Sequence, residues 1–167
     1  MYSKILLAAD GSPTSQRALD DGIALTRALG AQLTIVHVAL DLPTFADWPA
    51  ALLEQTRAAT LEDGRKLLED ARQRAARGGV EAGTRLIEEF GSTARIAEAV
   101  AREARDAGAS LIIAGTHGRR GLNRVLLGSV AEELLRIAPV PVLLVRSEPE
   151  APPRRSRPFL DLPLFPD

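Results

Sequence analysis

The chain has 167 residues, of which 46% are hydrophobic and 26% charged, and 21 basic against 22 acidic side chains leave a formal net charge of -1. These values suit a soluble globular protein of one domain plus appendages, with no overall basic excess to drive nonspecific binding to nucleic acid or anionic membrane. There is no cysteine, which excludes disulfides, thiolate metal sites and thiol nucleophiles and fits a reducing compartment.

In chain order, short apolar runs alternate with longer helical patterns. Residues 4–9, "KILLAA", read as a first strand. That run is too short for a signal-peptide core, and no run approaches the roughly 18 apolar residues of a membrane span, so the expectation is a cytoplasmic protein with no membrane contact. A helix follows, with Ser12 as its cap, Pro13 in its first turn and Gly30 as its stop. Ala18, Leu19, Gly22, Ile23, Thr26 and Leu29 form its apolar stripe. Residues 32–40, "QLTIVHVAL", predict a second, buried strand. A long helix is predicted over 49–77, with Leu53, Leu61, Gly64, Leu68, Ala71 and Ala75 on one face. A weaker strand follows over 80–87, interrupted by Gly83.

The segment 92–108 predicts a helix with Ala94, Ala97, Val100, Ala101 and Ala104 inward and Gly108 as its stop. "SLIIAG", 110–115, predicts a fourth strand; "SVAEELLRIA", 129–138, a helix ended by Pro139; and "PVPVLLVR", 139–146, a last strand. Strict alternation of strands and helices predicts an α/β fold, an open five-stranded parallel sheet of order 3-2-1-4-5 with helices on both faces, flavodoxin- or Rossmann-like. The domain is expected over 1–146. Residues 147–167 carry six prolines in 21 positions and read as a disordered tail, or as a docked one because of Phe159, Leu160, Leu162, Leu164 and Phe165.

In such a sheet, ligands bind beyond the carboxyl ends of the strands where strand order reverses, here between the first and fourth strands. The two most polar and glycine-rich strand ends fall there: "ADGS" after strand one and "GTHGRRGLNRVLLGS", 115–129, after strand four. Gly115 and Gly118 let backbone N–H groups approach a ligand closely. Gly128 and Ser129 open a helix whose first N–H groups and dipole favour an anion. Arg119, Arg120 and Arg124 add charge suited to phosphate oxygens, and Arg119, beside Gly118, is counted with the nucleotide-binding residues. The same arginines also read as a solvated loop surface.

Ser129-Val-Ala-Glu132 reads as a capping box, so Ser129 is expected to cap the helix and touch a phosphate as well. Asp10 reads either as an Asx residue at the helix start or as a crevice carboxylate at the nucleoside end of a ligand, away from phosphates. With only His37 and His117, each expected to be solvated or hydrogen-bonded, a histidine metal site is not expected.

These stretches, with "ILLAADGSPTSQRAL", "LTIVHV" and "GTHGRRGLNRVLLGSVAEELLRIAPVPVLLVR", resemble the nucleotide-binding branch of the universal stress protein family over about residues 1–146. Gly115, Gly118, Gly128 and Ser129 match that family's spacing of Gly, two residues, Gly, nine residues and Gly-Ser or Gly-Thr. The resemblance implies ATP, or ADP or AMP, as ligand, with Asp10 at the adenosine and Ala8 and Ala9 flanking it. It places the backbone near Val38 at the adenine edge and Gly115 against the ribose. Gly118, Gly128, Ser129 and Val130 would then line the phosphates. Ala131 stands where some relatives carry a hydroxyl, so one phosphate or metal contact is missing. Mg2+ would bridge the phosphates of ATP, with no protein ligand evident in the sequence. The resemblance also implies a homodimer through residues 139–146, which would otherwise be an exposed sheet edge.

The expected function is a nucleotide-binding stress-response regulator with slow or no hydrolysis, since no Walker motif, cysteine nucleophile or positioned base is present. The alternatives are a nucleotide-processing enzyme, either a slow ATPase or an adenylating or phosphotransfer enzyme, and a ligand-free interaction module.

Overall fold

The computed structural model describes residues 2–41, 49–118 and 127–146. The Pro-rich segment 147–167 lies outside the described residues. The elements are β1 (Lys4–Ala8), α1 (Pro13–Leu29), β2 (Gln32–Asp41), α2 (Ala50–Arg77), β3 (Ala82–Phe90), α3 (Ala94–Asp106), β4 (Leu111–Gly115), α4 (Ser129–Ile137) and β5 (Val142–Val145). The five strands form one parallel sheet of order β3-β2-β1-β4-β5. The predicted architecture is therefore the observed one.

Strand alternation divides the core. Ile5 and Leu7 of β1, Leu33 and Ile35 of β2, and Leu111 and Ile113 of β4 face Ala18, Leu19 and Ile23 of α1 and Leu68, Ala71 and Ala75 of α2. On the other face, Leu6, Val36, Ile112 and Ala114 meet Ala97, Val100, Ala101 and Ala104 of α3 and Leu134 of α4. Because helices cover both faces, the central strands are apolar throughout rather than alternating. Each buried Leu or Ile contributes roughly 1.5–3 kcal/mol of transfer free energy.

α1 begins and ends as its sequence predicts. Ser12 Oγ accepts from Ser15 N–H at 3.2 Å, Pro13 occupies the first turn, and Gly30 closes the helix in the left-handed region at φ 61°. Its inward stripe stops at Thr26, however. Leu29, expected inward, is 46% exposed, because the next turn of the helix has passed the end of the sheet's packed layer. Ala94 is likewise exposed, being the first residue of α3 and ahead of the packed turns.

β3 starts two residues later than expected and continues to Phe90, and it keeps register with β2 from Leu33↔Ala82 to Asp41↔Phe90. The sequence hid this extension because it carries the charged pair Glu88 and Glu89 and the strand lies at the edge of the sheet. Ion pairs tie the strand to the helices on the two faces of the sheet: Arg57 of α2 grips Glu88, Arg102 of α3 grips Glu89, and Arg85 pairs with Glu103 of α3. Arg57 also holds the Glu88 carboxyl below its ordinary pKa. The opposite edge, β5, is shorter than the run 139–146 and carries no charge in Val142–Val145.

Candidate functional site

The turn after β1 is organised by polar atoms around Asp10. Its Oδ1 accepts from Ser12 N–H at 3.0 Å, an Asx turn that leads into α1. The Asp10 N–H donates to Ser15 Oγ at 3.1 Å. The Asx reading of Asp10 is thus realised by one carboxylate oxygen. The other, Oδ2, faces β4's loop, 2.8 Å from where a Cβ on Gly118 would sit.

On the facing side, β4 ends at Gly115 and its loop is tied down in several ways. Thr116 N–H donates to Val145 O at 2.9 Å, and Gly128 N–H donates back to Thr116 O at 2.9 Å. His117 O accepts from Thr14 Oγ1 and from Ser12 Oγ, the latter at 3.3 Å. Thr116 Oγ1 and His117 Nδ1 lie 3.0 Å apart. Gly128 therefore lies against Thr116 and His117, beside the end of β4.

α4 shows a departure from the sequence reading. Its N-cap is Gly128, in extended conformation at φ -67° and ψ 146°, and among the described residues no side chain caps the helix. Ser129 is the first helical residue, not the cap, so the expected capping box is absent. The tertiary bond from Gly128 N–H to Thr116 O sets the helix start one residue earlier than the Ser-x-x-Glu pattern suggests. Glu132 is the first residue to donate within the helix, to Gly128 O at 2.9 Å. The N–H groups of Ser129, Val130 and Ala131 precede it without an intrahelical acceptor. Three such donors at the positive end of a helix dipole, with the Ser129 hydroxyl exposed beside them, form an arrangement suited to an anion.

The glycines are required by contact here. A Cβ on Gly115 would lie 2.8 Å from Thr14 Oγ1 and 3.0 Å from Ser15 N. One on Gly128 would lie 3.1 Å from Thr116 O and 3.4 Å from His117 Cα. None of Gly115, Gly118 and Gly128 has a positive φ. Their value at these positions is close approach, not access to the left-handed region.

β2 contributes from the other side of β1. Ala9 N–H donates to Val36 O at 2.8 Å, where the β1–β2 ladder ends. The two-residue alternation of a parallel ladder turns the N–H and C=O of Val38 the same way as those of Val36, beyond the end of β1. His37 is buried, and its Nδ1 donates to Ala9 O at 2.7 Å. A carbonyl can only accept, so Nδ1 carries the proton. Of the two environments expected for this histidine, the hydrogen-bonded one is found. Replacing His37 with Leu is expected to lower stability by about 1–3 kcal/mol, because the buried Ala9 carbonyl loses a donor. A urea melt checks this, and an unchanged midpoint would count against the strut.

The fold brings together Ala8, Ala9 and Asp10 at the end of β1 and just after it, Val38 on β2, Gly115 at the end of β4 and Gly118 beyond it, and Gly128, Ser129 and Val130 at the start of α4. Arg119, with Arg120, Gly121 and Arg124, lies outside the described residues. Sequence reasoning did not assign Thr14, Ser15 and His37 to this region. The only signal for the first two was their place in the first turn of α1. Among the described residues, no group of three or more His, Asp or Glu could hold a metal ion, and no helix is long and apolar enough to cross a membrane.

A doubly wound parallel α/β sheet of order β3-β2-β1-β4-β5 defines a Rossmann-like fold, with β1 and β4 on either side of its switch point. The universal stress protein family model matches residues 1–146, and the chain belongs to that family. It is 33% identical over 153 residues to the universal stress protein YxiE of Bacillus subtilis, covering 87% of this chain and 100% of that one. A crystal structure from the same family, from Burkholderia pseudomallei, is 39% identical with a TM-score of 0.68, over 86% of this chain and 96% of that chain. A universal stress protein solved in complex with cAMP is 25% identical with a TM-score of 0.63, over 87% of this chain and 98% of that chain.

Proposed function

We propose that this chain binds an adenine nucleotide (ATP, ADP or AMP) across the crevice between β1 and β4, and acts as a nucleotide-responsive regulator in the stress response. The observation that carries this reading is the uncapped start of α4. Its first N–H groups have no intrahelical acceptor, and they stand where ligands bind in this fold. The cAMP complex of a relative supports adenine nucleotide as the ligand class.

In this reading, Gly118, Gly128, Ser129 and Val130 surround the phosphates, and Arg119 adds charge to them. Gly115 lies against the ribose. Asp10, flanked by Ala8 and Ala9, stays at the nucleoside end, where its charge does not oppose the phosphates. The outward-turned backbone of Val38 meets the adenine edge. Mg2+ would be held through the phosphates of ATP. Residues 1–146 form the nucleotide domain and 147–167 an appendage to it, and a chain without cysteine suits the cytoplasm we assign it to.

Hydrolysis is slow or absent in this account. Asp10 has one oxygen committed to the Asx turn, which limits its freedom to act as a base. Calorimetric titration with ATP, ADP and AMP, followed by a turnover assay, tests the reading. Saturable binding with little phosphate release is expected. Absence of binding would leave a ligand-free interaction module, whereas rapid turnover would favour the enzyme reading.

We also propose that two copies pair through β5. The β3 edge strand carries charged side chains paired to α2 and α3, whereas β5 is uncharged and leaves Leu143 40% exposed, with Leu135 of α4 53% exposed. An uncovered apolar edge is a template for association. Sedimentation at micromolar concentration should show a dimer for the wild-type protein and a monomer for Leu143→Asp. A wild-type monomer would contradict the pairing.

A further inference from the structure

We propose that Thr14 is a positioning residue that aims the Gly118 N–H at the ligand, an inference that rests on the nucleotide reading of the crevice. Three buried hydroxyl residues, Ser12, Thr14 and Ser15, lie in and just before the first turn of α1. Ser12 Oγ accepts from Ser15 N–H at 3.2 Å and lies 3.1 Å from Thr14 Oγ1. Each hydroxyl has a single proton to donate. Thr14 gives its proton to His117 O. Ser12 then gives its own to Thr14 Oγ1, or to His117 O at 3.3 Å. The relay runs from Ser15 N–H through two hydroxyls to the His117 carbonyl, and each bond polarises the next.

The consequence follows from the planarity of the peptide unit. His117 C=O and Gly118 N–H belong to the same peptide, and no peptide bond here is cis. In a trans peptide the two groups point in opposite directions. Fixing the carbonyl onto α1 therefore turns the Gly118 N–H away from α1. The Gly118 nitrogen lies beside Gly128, 3.8 Å from where a Cβ on that residue would sit. Among the described residues, none accepts from the Gly118 N–H. Hydrogen bonding to the carbonyl also makes the N–H of the same peptide a stronger donor. Thr14 touches no ligand in this account. It sets the direction and strength of a donor that stands next to the start of α4.

The test uses Thr14→Val, which keeps the shape of the side chain and removes its proton, together with Thr14→Ala and Thr14→Ser in the full chain. Calorimetry is run with ATP and with adenosine, which has no phosphate. Thr14→Val and Thr14→Ala should weaken ATP binding about tenfold, the effect of weakening one hydrogen bond to a charged acceptor. Adenosine affinity should be unchanged, and Thr14→Ser should restore ATP binding. ATP affinity equal to wild type in both hydroxyl-free variants overturns the positioning role and leaves the nucleotide reading intact. So does parallel loss of ATP and adenosine, which marks general disruption. Wild-type protein that binds neither compound removes the nucleotide reading itself. In the ligand-free protein, the Gly118 amide nitrogen resonance should move in Thr14→Val and return in Thr14→Ser. An unmoved resonance overturns the peptide's dependence on Thr14.

Discussion

Gly115→Ala is expected to lower stability by about 1–3 kcal/mol, the usual cost of overpacking a close contact. The added Cβ would lie 2.8 Å from Thr14 Oγ1 and 3.0 Å from both Ser15 N and Thr14 C. Two of these three atoms are backbone, so no side-chain rotation relieves the contact and α1 must draw back from β4. Gly115 has no positive φ, so the penalty comes from contact alone. Withdrawal of α1 also takes Thr14 Oγ1 from His117 O and weakens the link between the two loops that face each other across the crevice. The urea midpoint should fall with the slope of the transition unchanged, and ATP affinity should fall with it. A midpoint equal to wild type would show that β4 and α1 do not need this approach.

Gly118→Val should separate binding from folding. Gly118 is exposed, so the core is not disturbed, and stability should stay within about 0.5 kcal/mol of wild type. The added side chain would start 2.8 Å from Asp10 Oδ2. Oδ2 is the free end of that side chain, so it can draw back by the small amount the contact needs while Oδ1 keeps Ser12 N–H. The rest of the added bulk projects into the crevice and screens the Gly118 N–H from a phosphate. Losing one charge-assisted hydrogen bond corresponds to about 2 kcal/mol, or roughly thirtyfold in ATP affinity. Calorimetry alongside a thermal melt reads both quantities. Unchanged ATP affinity would remove Gly118 from the phosphate cradle.

The fold was legible because parallel strands buried on both faces leave a strong mark: Ile5, Leu6 and Leu7 in β1 and Leu111, Ile112 and Ile113 in β4 are uninterrupted apolar runs. Ser12 was legible as a cap because capping is local, a matter of three residues. Ser129 was misread because a Ser-x-x-Glu pattern looks the same whether the serine is the cap or the residue after it. What decides is the bond from Gly128 to Thr116, which depends on the fold. The same holds for His37 on Ala9 and Thr14 on His117, whose partners lie 28 and 103 residues away. No periodicity or spacing announces such contacts. The last three residues of β3, 88–90, were missed for another reason: an edge strand carrying Arg85, Glu88 and Glu89 does not have the apolar signature of its neighbours.

That the loops after β1 and β4 face each other was legible from topology and glycine placement alone, and Asp10 and Gly118 do meet across the switch point. The local chemistry of the candidate site was less legible. The sequence could show which residues are small or polar, but not that α4 starts without a side-chain cap, which is the feature that suits an anion.

Nucleotide binding at the switch point is tested by amide chemical-shift mapping of the wild-type protein during titration with ATP. Saturable shifts are expected at Asp10, Val38, Gly115, Gly118, Gly128, Ser129 and Val130, at the carboxyl ends of β1, β2 and β4 and the start of α4. None is expected at Lys4, Gln32 or Thr34, at the opposite end of the sheet. An unshifted spectrum at saturating ATP, or shifts confined to that opposite end, would contradict binding at the switch point.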